Sequence, residues 1–470
     1  MLKERVTMMH DAYVNSKVLP LNKNKVVFDE EAGVLSVTWA SGTETVKLLS
    51  DDEFTTVDKN CDASVRSLYK YMDAIGRSKF VMFGQENNLQ CKAGDRDASH
   101  SDTFDLTGDY PALQAFDVLS FTGVEFSAER LNRQYTSDIP GWKALEKIDT
   151  ATLDKTEADI YAAAALARRA IDLGGVFSLS AHMPNFLFSK IREGYVEGVS
   201  PAIAKYNYKE YTPNRCEGKV VLEVMPGGKA NDAFTRYLDI VAMFAKAVEK
   251  PFFFRPLHEN TGSWFWWGAD HCTPDEFRAL WRYIVEYLRD TKGVHNLLYA
   301  YSPGSENKDA KEYGERFPGD DLVDLVGVDM YDPETEDGKG DVFFERFKNQ
   351  LAILDEFSAA HKKLMAVTET GLASKRPDKD CHATSIHLTG NLNMHWHSDI
   401  LDYASKSNAS YFLLWANFSK YGTYYTPYVD SVNEDGTLFG HEMMDDFIRY
   451  YNDERSIFAG HQAEAVKSFS

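Results

Sequence analysis

The sequence predicts an α/β protein folded as a closed parallel (β/α)8 barrel with a short N-terminal β extension. Three observations support this. Beyond Ser64, short apolar runs alternate eight times with stretches of helical spacing. Polar and ionisable residues follow several of these runs, as in barrels that carry catalytic groups at the C-terminal ends of their strands. The turn at residues 84–88 is not the glycine-rich phosphate loop that a doubly wound open sheet would place after its first strand.

Eight strands are predicted from the apolar runs, alternating with amphipathic helices. The predicted strands are Phe80–Gln85, Ala115–Phe126, Gly175–His182, the start of Pro251–Gly268, Asn296–Pro303, Leu322–Tyr331, Leu364–Gly371 and Tyr411–Asn417. The predicted helices include Val65–Ile75, Lys155–Leu173, Asp232–Val248, Thr273–Arg289, Val342–His361, His395–Ser405 and Met443–Tyr451. Two intervals, Ser127–Thr156 and Asn185–Gly228, are too long for simple connections and are expected to wall a cleft.

The N-terminal part of the chain has a different pattern. Between Lys25 and Leu49 apolar residues alternate with polar ones, which predicts two or three short antiparallel strands. About 25 residues make a poor independent domain, so we expect these strands to cap the barrel floor. The predicted division is an extension over residues 1–60, packed on a catalytic barrel over residues 61–470.

Composition narrows the class of partner. The chain has 470 residues and a formal charge of −21, which argues against nucleic acid and anionic membrane surfaces. An aromatic content of 13% favours a carbohydrate binder over a nucleotide binder. The five cysteines lack CxxC spacing and residues 258–262 are not HExxH, so no metal site is expected. GxSxG is absent, so the elbow of a serine hydrolase is missing.

The N-terminal residues contain no apolar core of the length that a signal peptide needs. We therefore expect a cytoplasmic protein, or a secreted one if a leader has been trimmed from this sequence. No apolar run approaches the length of a membrane span. We expect a monomer.

The stretch Pro251–Gly268 is the most informative in the chain. Its apolar start reads as a buried strand and its end carries Arg255, His258 and Glu259, followed by an aromatic cluster that includes Trp264. Directed polar groups beside indole rings suit a sugar, whose hydroxyls need partners and whose C–H face packs on aromatic rings. The competing interpretation is that the tryptophans are core residues and Glu259 is a solvated loop acid.

A second carboxylate, Glu369, ends the seventh predicted strand. We expect strands four and seven to face each other across the barrel, which would bring Glu259 and Glu369 to one cleft. Glycosidic cleavage needs such a pair, one carboxyl to protonate the leaving oxygen and one to meet the charge at the anomeric carbon. Arg255 is expected to lean towards Glu369, because its charge favours an ionised carboxylate. A salt-bridged rim acid is the alternative for Glu369.

Other strand ends supply weaker candidates. His182 ends strand three, Asp329 and Tyr331 end strand six, and Trp415 ends strand eight. Tyr331 could hydrogen-bond the nucleophilic carboxylate, and Trp264 and Trp415 could be sugar platforms. Packing in the core or at the rim remains the alternative for each of these side chains.

Residues 254–268, FRPLHENTGSWFWWG, followed about 110 residues later by VTETG, resemble glycoside hydrolase family 26, whose commonest activity is endo-β-1,4-mannanase. The resemblance extends from about Ser64 to the C-terminus and leaves the N-terminal strands outside it. It implies a (β/α)8 barrel with the acid/base on strand four and the nucleophile on strand seven, retention of configuration, and no cofactor.

The resemblance also implies roles for individual residues. Glu259 matches the acid/base and Glu369 the nucleophile. The expected substrate-binding residues are Arg255 and His258 beside the acid, Trp264 at the cleavage point, Tyr331 against the nucleophile with Asp329 on the same strand, Trp415 as the strand-eight platform, and His182 in subsite minus one.

The expected activity is therefore a retaining endo-β-1,4-mannanase that acts on mannan, glucomannan or galactomannan, with β-mannan polysaccharide or manno-oligosaccharides as its partners. A β-1,3-1,4-glucanase (lichenase) or a β-1,3-xylanase on the same scaffold is the first alternative. A glycan-binding protein on an inactive barrel is the alternative from another class, and the presence of both carboxylates argues against it.

Overall fold

Eight parallel strands close into a barrel, which confirms the predicted fold class. A computed structural model of the chain describes residues 14–16, 18–122, 125–334, 340–374 and 385–470. The barrel strands are β1 (Val81–Glu86), β2 (Leu113–Asp117), β3 (Val176–Ala181), β4 (Phe252–Pro256), β5 (Leu297–Tyr301), β6 (Leu325–Asp332), β7 (Leu364–Leu372) and β8 (Tyr411–Leu414). Each strand pairs with the next along the chain, and β8 pairs with β1 to close the sheet.

Helices surround the barrel and follow the predicted pattern closely. The helices are Ala63–Gly76, Asp102–Thr107, Ala128–Gln134, Lys155–Asp172, Val220–Val224, Asn231–Val248, Pro274–Glu286, Ala310–Gly314, Gly340–His361, Trp396–Ala404, Met444–Asn452 and Ala459–Phe469, with short 3-10 turns at Val118–Ser120, Phe186–Phe188 and Ala202–Ala204 and a π turn at Tyr287–Thr291. Capping boxes at Asp154 and Thr273 start two of them, the second with Pro274 in its first turn.

The second strand is shorter than the sequence pattern suggested. It was predicted as Ala115–Phe126, of which residues 123–124 lie outside the described residues, and it ends at Asp117. The Asp117 side chain accepts a hydrogen bond from the Leu119 amide at 3.0 Å and starts the 3-10 turn Val118–Ser120. The turn is fully buried, so its apolar residues resemble a continuing strand in sequence.

Smaller sheets flank the barrel. Three antiparallel strands in the N-terminal region, Lys25–Asp29, Val34–Trp39 and Gly42–Lys47, match the predicted extension. Further short strands are Val14–Ser16, Val429–Val432 and Leu438–Gly440 in one sheet, Lys190–Ile191 and Tyr206–Asn207 in another, and Ser456–Ile457 alongside β1. The strand Val14–Ser16 falls in a region that the sequence indicated to be irregular, and residues 1–13 and 17 lie outside the described residues.

The N-terminal sheet packs on the barrel's outer layer. Val26 and Phe28 point inward, and the Phe28 ring lies 5.6 Å from that of Tyr71 and 5.8 Å from that of Phe469 in the last helix. Asn24 donates hydrogen bonds to the carbonyl oxygens of Glu454 and Ser456 at 2.7 and 3.0 Å. The division into residues 1–60 and 61–470 stays a prediction.

Asp324, immediately before β6, ties the segment after this sheet to the barrel floor. Its carboxylate is completely buried and accepts hydrogen bonds from the amides of Val57 and Tyr299, both at 2.8 Å. Both donors are buried backbone amides, so removal of the Asp324 carboxylate would leave them without this acceptor. Among the described helices, none is long and apolar enough to cross a membrane.

We expect Asp324→Ala to lower the free energy of unfolding by about 3 kcal/mol, because two buried amides lose their acceptor. Urea denaturation measures this change. Asp321→Ala is the matched control. Its carboxylate is 67% exposed and pairs with Arg282 at 3.2 Å, so its loss should cost less than about 1 kcal/mol. Equal effects of the two substitutions would contradict the assignment of Asp324.

Candidate active site

The turn after β4 presents Glu259 at the C-terminal mouth of the barrel. Leu257 and Glu259 both adopt left-handed backbone conformations, with φ of 52° and 53°, which side chains other than glycine rarely do. The Glu259 amide donates to the Ser302 carbonyl beyond β5 at 2.7 Å and fixes the turn. Strain of this kind persists only where surrounding contacts hold it, and it is typical of functional sites.

Arg255, at the end of β4, connects three neighbouring strands. Its guanidinium donates to Glu369 Oε2 on β7 and to Asp329 Oδ2 on β6, both at 2.7 Å, and to Ser302 Oγ at 3.1 Å. The arginine is 2% exposed. The contact with Glu369 that was expected from the sequence is therefore present, and Asp329 joins it as a second carboxylate on the same fork.

Glu369 is held by both of its oxygens. Tyr331 donates its hydroxyl to Oε1 at 2.5 Å while Arg255 holds Oε2. Burial and then the charge of Glu369 raise the pKa of Tyr331 well above its usual value, so its proton stays available for donation. These contacts keep Glu369 in one position and stabilise its ionised form.

The surroundings of Glu259, unlike those of Glu369, disfavour its ionised form. Burial raises its pKa well above the ordinary value, and the charges of Glu369 and then Asp329 raise it further. Its oxygen Oε2 accepts a hydrogen bond from the indole N–H of Trp264 at 2.6 Å. Burial and these charges both favour the protonated form of Glu259.

The positions of β4 and β7, the strands that carry Glu259 and Glu369, differ from the expectation that these strands face each other. The strand order places β5 and β6 between β4 and β7, so the two strands are three positions apart and do not face each other directly. The side chains nevertheless lie in one site, because Arg255 from β4 reaches Glu369 on β7 and the charge of Glu369 acts on Glu259.

His182 and His258 form a buried chain with Asp117. His182 Nδ1 lies 2.8 Å from Asp117 Oδ2, and its Nε2 lies 3.2 Å from His258 Nε2. Burial lowers the pKa of His182, but the charge of Asp117 and its hydrogen bond together outweigh burial, and the net shift is upward. Burial and the charge of His182 lower the pKa of His258 well below normal, which suits His258 as the acceptor of a hydrogen bond from His182.

This chain bears on the sugar contact expected of His182. Both ring nitrogens of His182 are used within the protein, and the residue is 8% exposed. His258 is completely buried. Their role in substrate binding stays a prediction, and the structure shows them supporting the floor of the site.

The aromatic residues divide between the cleft and the core. Trp264 is 43% exposed beside Glu259, and Trp415 is partly buried with its ring 5.5 Å from that of His182. Trp266 and Trp267 are fully buried and bond to the carbonyl oxygens of Met183 and His258. Trp264 and Trp415 are thus placed to contact a ligand.

Sequence reasoning missed several residues around the site. They are Asp117, Ser302, Tyr211, Tyr425, Glu86 and Glu125. Tyr211 comes from the long segment after β3, is 47% exposed, and lies 6.0 Å from the His182 ring. The length of that segment was the signal that it would wall the cleft. No group of residues suited to a metal ion occurs in the described parts of the chain.

Two carboxyls with different surroundings at a barrel mouth, with Trp264 and Trp415 beside them, can perform acid-assisted displacement at a sugar carbon. Comparison with known proteins agrees with this. Glycosyl hydrolase family 26 matches residues 134–370, which include Glu259 and Glu369. This chain belongs to glycosyl hydrolase family 26.

Several members of this family are similar over most of the chain. A mannan endo-1,4-beta-mannosidase of Bifidobacterium adolescentis is 30% identical over 81% of this chain. The match covers 34% of that protein, so the chain spans about a third of its length. The catalytic domain of a Bacillus sp. JAMB-750 GH26 endo-beta-1,4-mannanase is 29% identical, with a TM-score of 0.67 over 87% of this chain and 95% of that one. A modular Cellulomonas fimi endo-beta-1,4-mannanase is 28% identical, with a TM-score of 0.65 over 87% and 78%.

We expect Trp264→Phe to raise the pKa of Glu259 further. The indole N–H of Trp264 stabilises the ionised carboxylate, and phenylalanine cannot replace this hydrogen bond. NMR titration of protein with carbon-13-labelled glutamate carboxyls measures this pKa, and Glu259→Gln identifies the signal. The control is Trp39→Phe, which removes an indole hydrogen bond to Ser41 in the N-terminal sheet. An unchanged or lower pKa in Trp264→Phe would contradict the proposed environment of Glu259.

Proposed function

We propose that this chain is a retaining endo-β-1,4-mannanase that hydrolyses mannan, glucomannan or galactomannan through two glutamates. The observation that carries the proposal is the unequal environment of the pair. Arg255 and Tyr331 donate to the two oxygens of Glu369, while burial and the charge of Glu369 raise the pKa of Glu259 beside Trp264. The mannanase names of the relatives support the choice of substrate.

In the first step, Glu259 donates its proton to the glycosidic oxygen and a Glu369 oxygen attacks the anomeric carbon. The bond to the leaving sugar breaks as the ester to Glu369 forms, through a transition state with positive charge on the ring. Trp264 lies beside the acid and would pack against the leaving sugar. Trp415 would support the sugar that becomes bound to Glu369.

The second step reverses the role of Glu259. Once Glu369 is esterified it carries no charge, and one cause of the raised pKa of Glu259 disappears. Glu259 is then the base that takes a proton from water, whose oxygen attacks the anomeric carbon and releases Glu369. Two displacements on the same carbon give net retention of configuration.

Both glutamates should be needed for hydrolysis of β-mannan. We expect Glu369→Ala and Glu259→Ala each to lower kcat/KM by more than about 10³-fold. Release of reducing sugar measures the rate, with mixed-linkage β-1,3-1,4-glucan and β-1,3-xylan as comparison substrates. Glu434→Ala, which removes an exposed carboxylate, is the control and should retain full activity.

The substrate panel also decides between the alternatives. If the protein hydrolyses the glucan or the xylan faster than mannan, that polysaccharide is the substrate in place of mannan. Binding of mannan without turnover would indicate a glycan-binding protein. Undiminished activity of Glu369→Ala would contradict the proposed nucleophile.

Retention predicts which product anomer forms first. Proton NMR of manno-oligosaccharide hydrolysis should show the β-anomer before mutarotation produces the α-anomer. Initial release of the α-anomer would mean direct attack by water and would exclude Glu369 as a nucleophile. The lengths of the early products test endo action, which predicts a mixture of oligosaccharides rather than a single short product.

A further inference from the structure

A second group of carboxyls lies at the ends of β1 and β2, apart from the Arg255 fork. Glu86 ends β1, Asp117 ends β2, and Glu125 follows in the loop after β2. Asp117 is occupied by His182 and the Ser180 hydroxyl, the latter at 2.6 Å from Oδ2. Glu86 is completely buried, and neither of its oxygens has a hydrogen-bond partner. Glu125 is the member of this group that is partly exposed.

Glu125 is held in place by contacts from its own loop and from β1. Its oxygen Oε2 accepts a hydrogen bond from Asn87 Nδ2 at 2.8 Å. Asn87 is itself completely buried, in a left-handed conformation with φ of 48°, and its amide donates to the Ala115 carbonyl at 2.7 Å. The Glu125 amide donates to Leu119 O at 3.2 Å, and Arg130 donates to Glu125 O at 3.0 Å. A partly exposed carboxylate fixed this firmly is preorganised for a ligand.

The position of Glu125 relative to the reacting bond follows from the strand order. Trp264 is bonded to the proposed acid on the β4 side, which makes that side the one of the leaving sugar. Glu125 follows β2, and β3 with His182 lies between it and β4. The charges of Asp117 and His182 act on Glu125, so it lies close to the floor of the site, two strand positions away from β4 and its Trp264 loop.

We propose that Glu125, supported by Asn87, binds a hydroxyl of the second sugar on the non-reducing side of the cleaved bond, in subsite minus two. This inference rests on the proposed function, because it assumes that a β-linked glycan crosses the barrel mouth. The proposed function places the first sugar against Glu369, Tyr331 and Trp415, which leaves Glu125 for the next one. A hydroxyl can donate to the Glu125 carboxylate, and a hydrogen bond to a charged group is stronger than a neutral one.

The contact should depend on pH. Burial, and then the charge of Asp117, raise the pKa of Glu125 to about 7. The titratable or charged groups that face it are Glu86 from β1, Cys91 from the segment after β1, Asp117 from β2, His182 after β3, Arg130 from the helix Ala128–Gln134, and Tyr211 from the segment after β3. Glu125→Gln keeps the acceptor for Asn87 and removes the titration.

The test compares substrates with one and with two sugars before the cleaved bond. These are 4-nitrophenyl β-mannopyranoside and 4-nitrophenyl β-mannobioside, with the corresponding glucosides as a second series. Glu125→Ala should lower kcat/KM for the bioside about 10- to 100-fold and change that for the monoside less than about twofold. Glu129→Gln, which alters an exposed carboxylate paired with Lys155 at 3.0 Å, should change neither.

The pH dependence of kcat/KM distinguishes binding by Glu125 from a purely structural role, which would not change the profile. The wild-type profile of kcat/KM for the bioside should contain a titration near pH 7 that is absent in Glu125→Gln. Equal losses on both substrates, or no loss on the bioside, would overturn the inference and leave the proposed function intact. If the wild-type protein cleaves the glucosides but not the mannosides, mannan is not the substrate. The comparison of the glucoside with its bioside then tests Glu125 in the same way. Failure to cleave either series would contradict both.

Discussion

The buried fork of Arg255 is the interaction on which the rest of the site depends. One guanidinium on β4 holds Asp329 on β6 and Glu369 on β7, and Ser302 and Thr368 complete the shell of Asp329 at 2.8 and 2.7 Å. Such a planar group matches two carboxylates at once, which a lysine ammonium does not. Removal of one partner from a buried pair costs about 3–5 kcal/mol, because a charge stays buried without compensation. The same contacts that fix Glu369 therefore also join three strands of the barrel.

Two carboxyls of the same type acquire different properties here through their surroundings alone. Glu369 receives a cation and a phenol hydroxyl, whereas Glu259 receives burial, a negative neighbour and one indole N–H. The two environments are coupled, because the charge of Glu369 adds to the effect of burial in raising the pKa of Glu259. The left-handed turn at Leu257 and Glu259 holds the Glu259 carboxyl where the charge of Glu369 acts on it. The backbone strain of this turn is thus part of the site's electrostatics.

The sequence predicted the barrel because parallel strands are buried on both faces and therefore read as separate apolar runs. Arg255, Glu259 and Glu369 could be found because strand ends in the chain are also neighbours in space. The end of β2 could not, since Val118–Ser120 is as apolar and buried as a strand. Glu86 was missed because it lies one residue beyond the predicted strand Phe80–Gln85. Glu125 was missed because an acid in a loop is usually solvated, and its burial is a tertiary property. The contact of His182 with His258 depends likewise on side-chain directions that no spacing specifies.

The central claim is that Glu369 and Glu259 act on one anomeric carbon, with Glu369 as the attacking group. A 2-deoxy-2-fluoro-β-mannobioside with a dinitrophenyl leaving group tests it most directly, because fluorine slows release of the glycosyl enzyme more than its formation. Mass spectrometry of the digested protein should place one fluoroglycosyl group on the peptide that contains Glu369, and Glu369→Ala should take up none. A label on another carboxyl, or turnover of mannan by a protein that the reagent never labels, would contradict the account.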